Sequence, residues 1–183
     1  RWPISQVVSC SDATPETVAT VSSRVDAKLA EALYHTTVTK GCHVPLTANP
    51  VTLAGIDELL PCDPLSTTVV SSVPWSVSRM VVHRRSSHVN LRELEGCCSS
   101  CEDMTELTLA PTRLVNGTDS TVALGSVAKG RSSSLRLNSI LRKATSKKLL
   151  GRKSQHNFKL PSADNPADDP TRYVDLRSPV PAE

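Results

Sequence analysis

The sequence predicts an α/β fold: a mixed sheet with helices packed on it. Short β-prone runs fill the first part of the chain, and from about residue 77 onward β-prone runs alternate with helical periodicity. Hydrophobic residues make up 38% of the 183 positions and charged residues 21%, the balance of a chain that builds a core. No run approaches the roughly 18 apolar residues that a spanning helix needs, which excludes an integral helical membrane protein. Aromatic residues are only 3%, so the core must be filled by Leu, Val, Ile and Ala.

Residues 7–12, Val-Val-Ser-Cys-Ser-Asp, read as a strand that delivers Asp12 to its end, followed by the turn-forming Thr14-Pro15. Residues 18–25 read as the returning strand of a hairpin. A short helix follows at 26–34, with Leu29, Ala30 and Leu33 on one face. Residues 40–74 are punctuated by Pro and weakly patterned. They predict a long irregular connection with one turn of helix at 55–60. A strand is expected at 77–84 and a helix at 90–107, the latter weakened by Gly96 and a Cys/Ser cluster. Residues 112–117 form the next strand candidate. A helical segment over 121–150, broken near 130–134, carries Leu135, Leu137, Ile140 and Leu141 opposite Arg and Lys. A last strand is expected at 156–160.

The six cysteines are Cys10, Cys42, Cys62, Cys97, Cys98 and Cys101. Cys97 and Cys101 stand one helical turn apart, the spacing of half a zinc site, but no matching pair occurs elsewhere, so small buried thiols are expected. Asn116-Gly117-Thr118 fits a glycosylation pattern and reads here as a turn. The chain begins Arg1-Trp2-Pro3 with no charged segment leading into an apolar run. No signal peptide is read, and a piece of a longer intracellular polypeptide is expected.

Net charge is +3, unevenly spread. Residues 129–153 hold nine Lys or Arg and no acid, whereas 161–183 are acidic and Pro-rich. The basic run reads either as a polyanion-facing surface or as a solvated helix face. Gly125-Ser126-Val127-Ala128-Lys129-Gly130-Arg131-Ser132 approaches a phosphate-binding loop. Arg131 stands where that motif needs Lys, and the segment reads as helix, so nucleotide binding is disfavoured.

Four carboxylates stand at element boundaries: Asp12, Glu93, Asp119 and Asp168. Hard divalent cations take carboxylate oxygens, and two such ions can drive phosphodiester hydrolysis. The local contexts are Ser11-Asp12-Ala13-Thr14-Pro15, Asn90-Leu91-Arg92-Glu93-Leu94, Thr118-Asp119-Ser120 and Asn165-Pro166-Ala167-Asp168-Asp169-Pro170-Thr171-Arg172. In that order they resemble the ribonuclease H domain that follows the reverse transcriptase in retroelement polyproteins.

The resemblance spans about residues 7–172. It implies a five-stranded mixed sheet, three antiparallel strands then two parallel, with helices on both faces. It further implies that Asp12, Glu93, Asp119 and Asp168 bind two Mg²⁺ ions (Mn²⁺ also suits) and cleave the RNA strand of an RNA–DNA hybrid. Lys129, Arg131, Arg136 and Arg142 become candidates for phosphate contact. On this reading residues 1–6 end a preceding polymerase or connection segment, and 173–183 are a Pro-rich tail. The reverse transcriptase portion of the same polyprotein is a partner and no membrane is. The long gap from Asp12 to Glu93 requires an insertion at about 35–75. Glu95 can stand in for Glu93, and Asp164 or Asp169 for Asp168. No His precedes Asn165 where many cellular members carry one. The alternative is an inactive connection module that tethers nucleic acid through its basic helix.

Overall fold

The computed structural model describes residues 2–40, 61–107 and 110–181. Strand β1 (Ile4–Ala13) turns through Thr14-Pro15 into β2 (Thr17–Arg24), paired antiparallel with Cys10 opposite Val21 and Asp12 opposite Ala19. The Thr14 hydroxyl accepts from the Thr17 N–H at 2.9 Å and closes that turn. Helix α1 (Ala27–His35) is capped by Asp26, whose carboxylate accepts from the Leu29 N–H at 2.9 Å. Helix α2 (Pro64–Ser72) lies where an irregular connection was expected. Its β-branched, Thr-rich sequence hides the helical period, but Asp63 caps it and Pro64 occupies its first turn, where a missing N–H costs nothing. The expected helical turn at 55–60 lies outside the described residues, as do most of the expected insertion and Cys42.

Strand β3 (Ser76–Val82) pairs antiparallel with β2 and ends two residues before the expected boundary, where the His83 N–H turns to the Glu16 carbonyl. Helix α3 (Val89–Leu107) leads to β4 (Thr112–Thr118), parallel to β1. The broken helical segment is two helices, α4 (Thr121–Lys129) and α5 (Leu135–Leu150). Gly130 ends α4 at φ 65°, a left-handed conformation that suits glycine. The Gly125-to-Lys129 stretch therefore lies inside a helix, which removes the phosphate-loop reading. Strand β5 (Lys153–Lys159) starts three residues earlier than expected and runs parallel to β4. A 3₁₀ turn (Ser162–Asp164) and a one-turn helix α6 (Asp168–Thr171) follow.

The sheet order is β3-β2-β1-β4-β5, antiparallel across β3-β2-β1 and parallel across β1-β4-β5. This is the mixed five-stranded architecture that the resemblance implies. β1 begins at Ile4, paired with Arg113, so residues 4–6 belong to the sheet. Beyond α6 the chain packs back on the domain: Leu176 lies against the main core, and the Val180 N–H bonds the Ser71 carbonyl at 2.8 Å.

Val8, Cys10, Val21, Val115, Phe158 and Leu160 bury one face of the sheet beneath α1 and α2. On the other face α3 packs over β1 and β2 and gathers Leu94, Cys97, Cys98, Leu137 and Leu141 with α5. The features that weaken α3 as a sequence are what let it dock. A Cβ at Gly96 would stand 3.1 Å from Val18 on β2 and 3.5 Å from the Asp12 carbonyl, so any side chain there would have to displace Val18 for the helix to keep its place. Cys97, Cys98 and Cys101 are buried thiols outside any disulfide, and burial raises the pKa of each. Among the described residues no helix is long and apolar enough to cross a membrane.

Candidate active site

The site follows from register. Cys10 on β1 lies beside Gly117 on the parallel β4. Asp12 is two residues past Cys10 and Asp119 two past Gly117, so both acids leave the same sheet edge on neighbouring strands about 4.8 Å apart. Asp12 is 8% exposed. Burial pushes its pKa up to about 7, with the negative charges of Asp119 and then Asp168 adding to the rise. The third and fourth acids arrive on helices. Glu93 comes from the first turns of α3, its pKa raised by burial and further by Asp119. Asp168 opens α6, the one-turn helix packed on β1 and β2.

Neutral donors hold these carboxylates in place. Ser120, the N-cap of α4, donates to Glu93 Oε2 at 2.5 Å while its oxygen accepts from the Ala123 N–H. Thr171 donates to Asp12 Oδ2 at 2.8 Å. Asn165, fully buried, donates to the Ser11 carbonyl at 3.1 Å and to Asp119 Oδ1 at 3.4 Å, which ties the last motif to both central strands. His88, just before α3, is close enough for its charge to oppose the rise at Glu93. None of Ser120, Thr171, Asn165 and His88 was singled out from sequence. Their only sequence signal is adjacency to the acidic motifs.

Two of the three alternative acids, Glu95 and Asp169, are paired with arginines. Glu95 takes a 2.7 Å ion pair from Arg92 and faces His83. Asp169 is bound by Arg177 at 2.6 and 2.9 Å, and that guanidinium holds its carboxyl below the usual range. Asp168 itself is paired with Arg172 at 2.8 Å. Among the described residues no three His, Cys, Asp or Glu side chains are already gathered as a metal cage. The four acids would nevertheless suit a hard cation: all are carboxylate-oxygen donors, and the repulsion of Asp12 by Asp119 and Asp168 is what a divalent ion would relieve.

Lys129, Arg131, Arg136 and Arg142 are all exposed. Arg131 and Arg142, with Asn138 and Ser146, line a surface cavity of about 580 Å³ beside α5. α4 starts immediately after Asp119 and Ser120, so its end at Lys129 lies about 12 Å further along the helix. The basic surface is thus offset from the acids rather than mixed with them. Asn116 and Gly117 lie inside β4, as the strand reading of 112–117 expects and the turn reading of Asn116-Gly117-Thr118 does not, with Asn116 1% exposed.

The order of the strands and the direction of each pairing define the class: an α/β protein built on a five-stranded mixed sheet, the arrangement that the resemblance implies. No family model matches the chain, and no curated protein does. A solved structure, the N-terminal RNase H domain of rv2228c from Mycobacterium tuberculosis as a fusion with maltose-binding protein, is 14% identical. It aligns over 91% of each chain with a TM-score of 0.45.

Proposed function

We propose that the chain is a ribonuclease H that hydrolyses the RNA strand of an RNA–DNA hybrid with two Mg²⁺ ions, in an intracellular retroelement polyprotein beside its reverse transcriptase. One observation carries the reading: acids from all four ordered motifs act on one another. At the neighbouring ends of β1 and β4, burial and the charges of Asp119 and Asp168 raise the proton affinity of Asp12, while burial and the charge of Asp119 raise that of Glu93. Asp12, Glu93, Asp119 and Asp168 are the residues that would hold the ions. When bound, such ions supply Lewis acidity and a water of lowered pKa. The chain's own part is to fix the acids. Ser120 orients Glu93, Asn165 and Thr171 tie Asp119 and Asp168 to β1, and burial of Asp12 excludes competing water. Lys129, Arg131, Arg136 and Arg142 would contact phosphates without reading bases, as suits recognition of duplex shape.

The test is a labelled RNA–DNA hybrid incubated with Mg²⁺ and the wild-type chain, Asp12→Asn or Asp119→Asn. Wild type should cleave, and each variant should lose about 100-fold or more, beyond the loss typical of an outer-sphere residue. Equal cleavage by all three chains, or cleavage by none, rejects the enzyme. The Arg172 pair on Asp168 favours a second reading, a non-catalytic tether. Its signature is a salt-dependent hybrid affinity that Asp12→Asn leaves intact in a chain that does not cleave.

A further inference from the structure

We propose that Thr171 is a positioning residue for Asp12, its hydroxyl fixing one carboxylate oxygen so that the other is presented to a cation; this rests on the metal-site reading above. Thr171 is 2% exposed and lies on α6, three residues after Asp168, so a single helical turn carries one acid and reaches another. Its Oγ1 stands 2.8 Å from Asp12 Oδ2 and also 2.8 Å from the Asp168 carbonyl oxygen. One hydroxyl proton serves one acceptor at a time. A hydrogen bond to an ionised carboxylate is about twice as strong as one to a neutral carbonyl, so when Asp12 is ionised, as it must be to hold a cation, the proton goes to Asp12.

The geometry around that bond leaves it little freedom. Asn165 anchors the segment before α6 to β1 and Asp119, Arg177 binds Asp169 within it, and just beyond it the Tyr173 hydroxyl stands 3.3 Å from Thr17 Oγ1 on β2. With α6 held in this way, the hydroxyl reaches Asp12 from a fixed direction. Asp12 otherwise has the Ala13 N–H as a donor and faces two acids, Asp119 and Asp168, that repel its charge. Without the Thr171 hydroxyl the carboxylate keeps only that backbone donor against the repulsion, and the cation loses a preset ligand.

The experiment uses the full chain as wild type, Thr171→Val, which keeps the shape and deletes the hydroxyl, and Thr171→Ser, which keeps the hydroxyl. Mn²⁺ binding is followed by calorimetry, and the Asp12 side-chain carbonyl carbon by NMR without metal. Thr171→Val should weaken Mn²⁺ binding about tenfold or more, whereas Thr171→Ser should stay within about threefold of wild type. The metal-free Asp12 resonance should move in Thr171→Val and stay in Thr171→Ser. In an Asp12→Asn chain, Thr171→Val should cause no further loss. Mn²⁺ affinity unchanged in Thr171→Val, or equally poor in both variants, overturns the proposal. If Thr171→Val does not fold, Thr171→Ala replaces it under the same criteria. A wild-type chain that binds no Mn²⁺ sinks the nuclease reading instead, and the metal-free resonance then decides the Thr171 role alone.

Discussion

The two faces of the sheet are built on opposite principles. Beneath α1 and α2 the inward side chains are Val8, Cys10, Val21, Val115, Phe158 and Leu160, a dry layer around the chain's one Phe. Beneath α3 the same strands present Ser9, Ser11, Asn116, Gln155 and Asn157. Ser9 donates to Asn116 Oδ1 at 2.9 Å, Asn116 donates to Ser11 Oγ, and Gln155 donates to the Cys97 carbonyl. Gln155 Oε1 and Asn157 Nδ2 find no partner there among the described residues. The first face carries apolar burial. The second gives up some of that burial so that a helix bearing Glu93 can approach the strand bearing Asp12, over Gly96 and small thiols.

Four measurements break or sharpen this contrast. Phe158→Ala should cost about 3–5 kcal/mol by urea unfolding, since it empties the dry layer at its largest buried side chain. A loss near 1 kcal/mol would mean that face is not the main source of stability.

The next largest effect is pH dependence at the sheet edge. Asp12 has a pKa near 7 in the folded chain against an ordinary 3.8, so the folded state holds the proton more tightly. Metal-free stability is therefore greatest below about pH 4 as far as Asp12 is concerned, and falls as pH rises toward and through 7, by up to about 4 kcal/mol. Added Mg²⁺ should flatten that slope. A profile that rises with pH over this range would show that Asp12 is not crowded by its neighbours.

Gly117→Ala comes third. A Cβ there would stand 2.8 Å from both Leu160 and Phe158 and 2.9 Å from Cys10, so overpacking of the dry face should cost about 1–3 kcal/mol. Ser9→Ala should cost least, about 1 kcal/mol, by removing one hydrogen bond from the polar face. Should Ser9→Ala exceed Gly117→Ala, the ranking of the two faces is reversed.

Much of the sheet could be read from the chain because β1, β2, β3 and β4 carry β-prone runs, and Asp26, Ser120 and Ser134 cap helices by local rules. α2 was hidden because Thr67, Thr68, Val69 and Val70 look β-prone, and burial of Val69 and Val70 against the main core outweighs that preference. Asn116 reads as a turn residue because Asn-Gly usually is one. Inside β4 its amide is claimed by Ser9 and Ser11, partners more than 100 positions away. The acids were visible as motifs, whereas the groups that hold them were not. Ser120, Asn165 and Thr171 are ordinary polar residues whose roles arise from parallel-strand register and from where α6 lands. Arg177 is likewise legible only as a stray charge until the chain beyond α6 is seen folded over Asp169.

The span between Asp12 and Thr171, 159 positions, makes their hydrogen bond one of the most non-local contacts of the fold. A hairpin of β1 and β2 forms from neighbours, but closing so long a loop waits until every element from β2 to α6 has been made. A growing chain still on the ribosome thus has its first acid long before it has the turn that holds it. A chain cut before α6 would keep Asp12 and lack the hydroxyl that meets it.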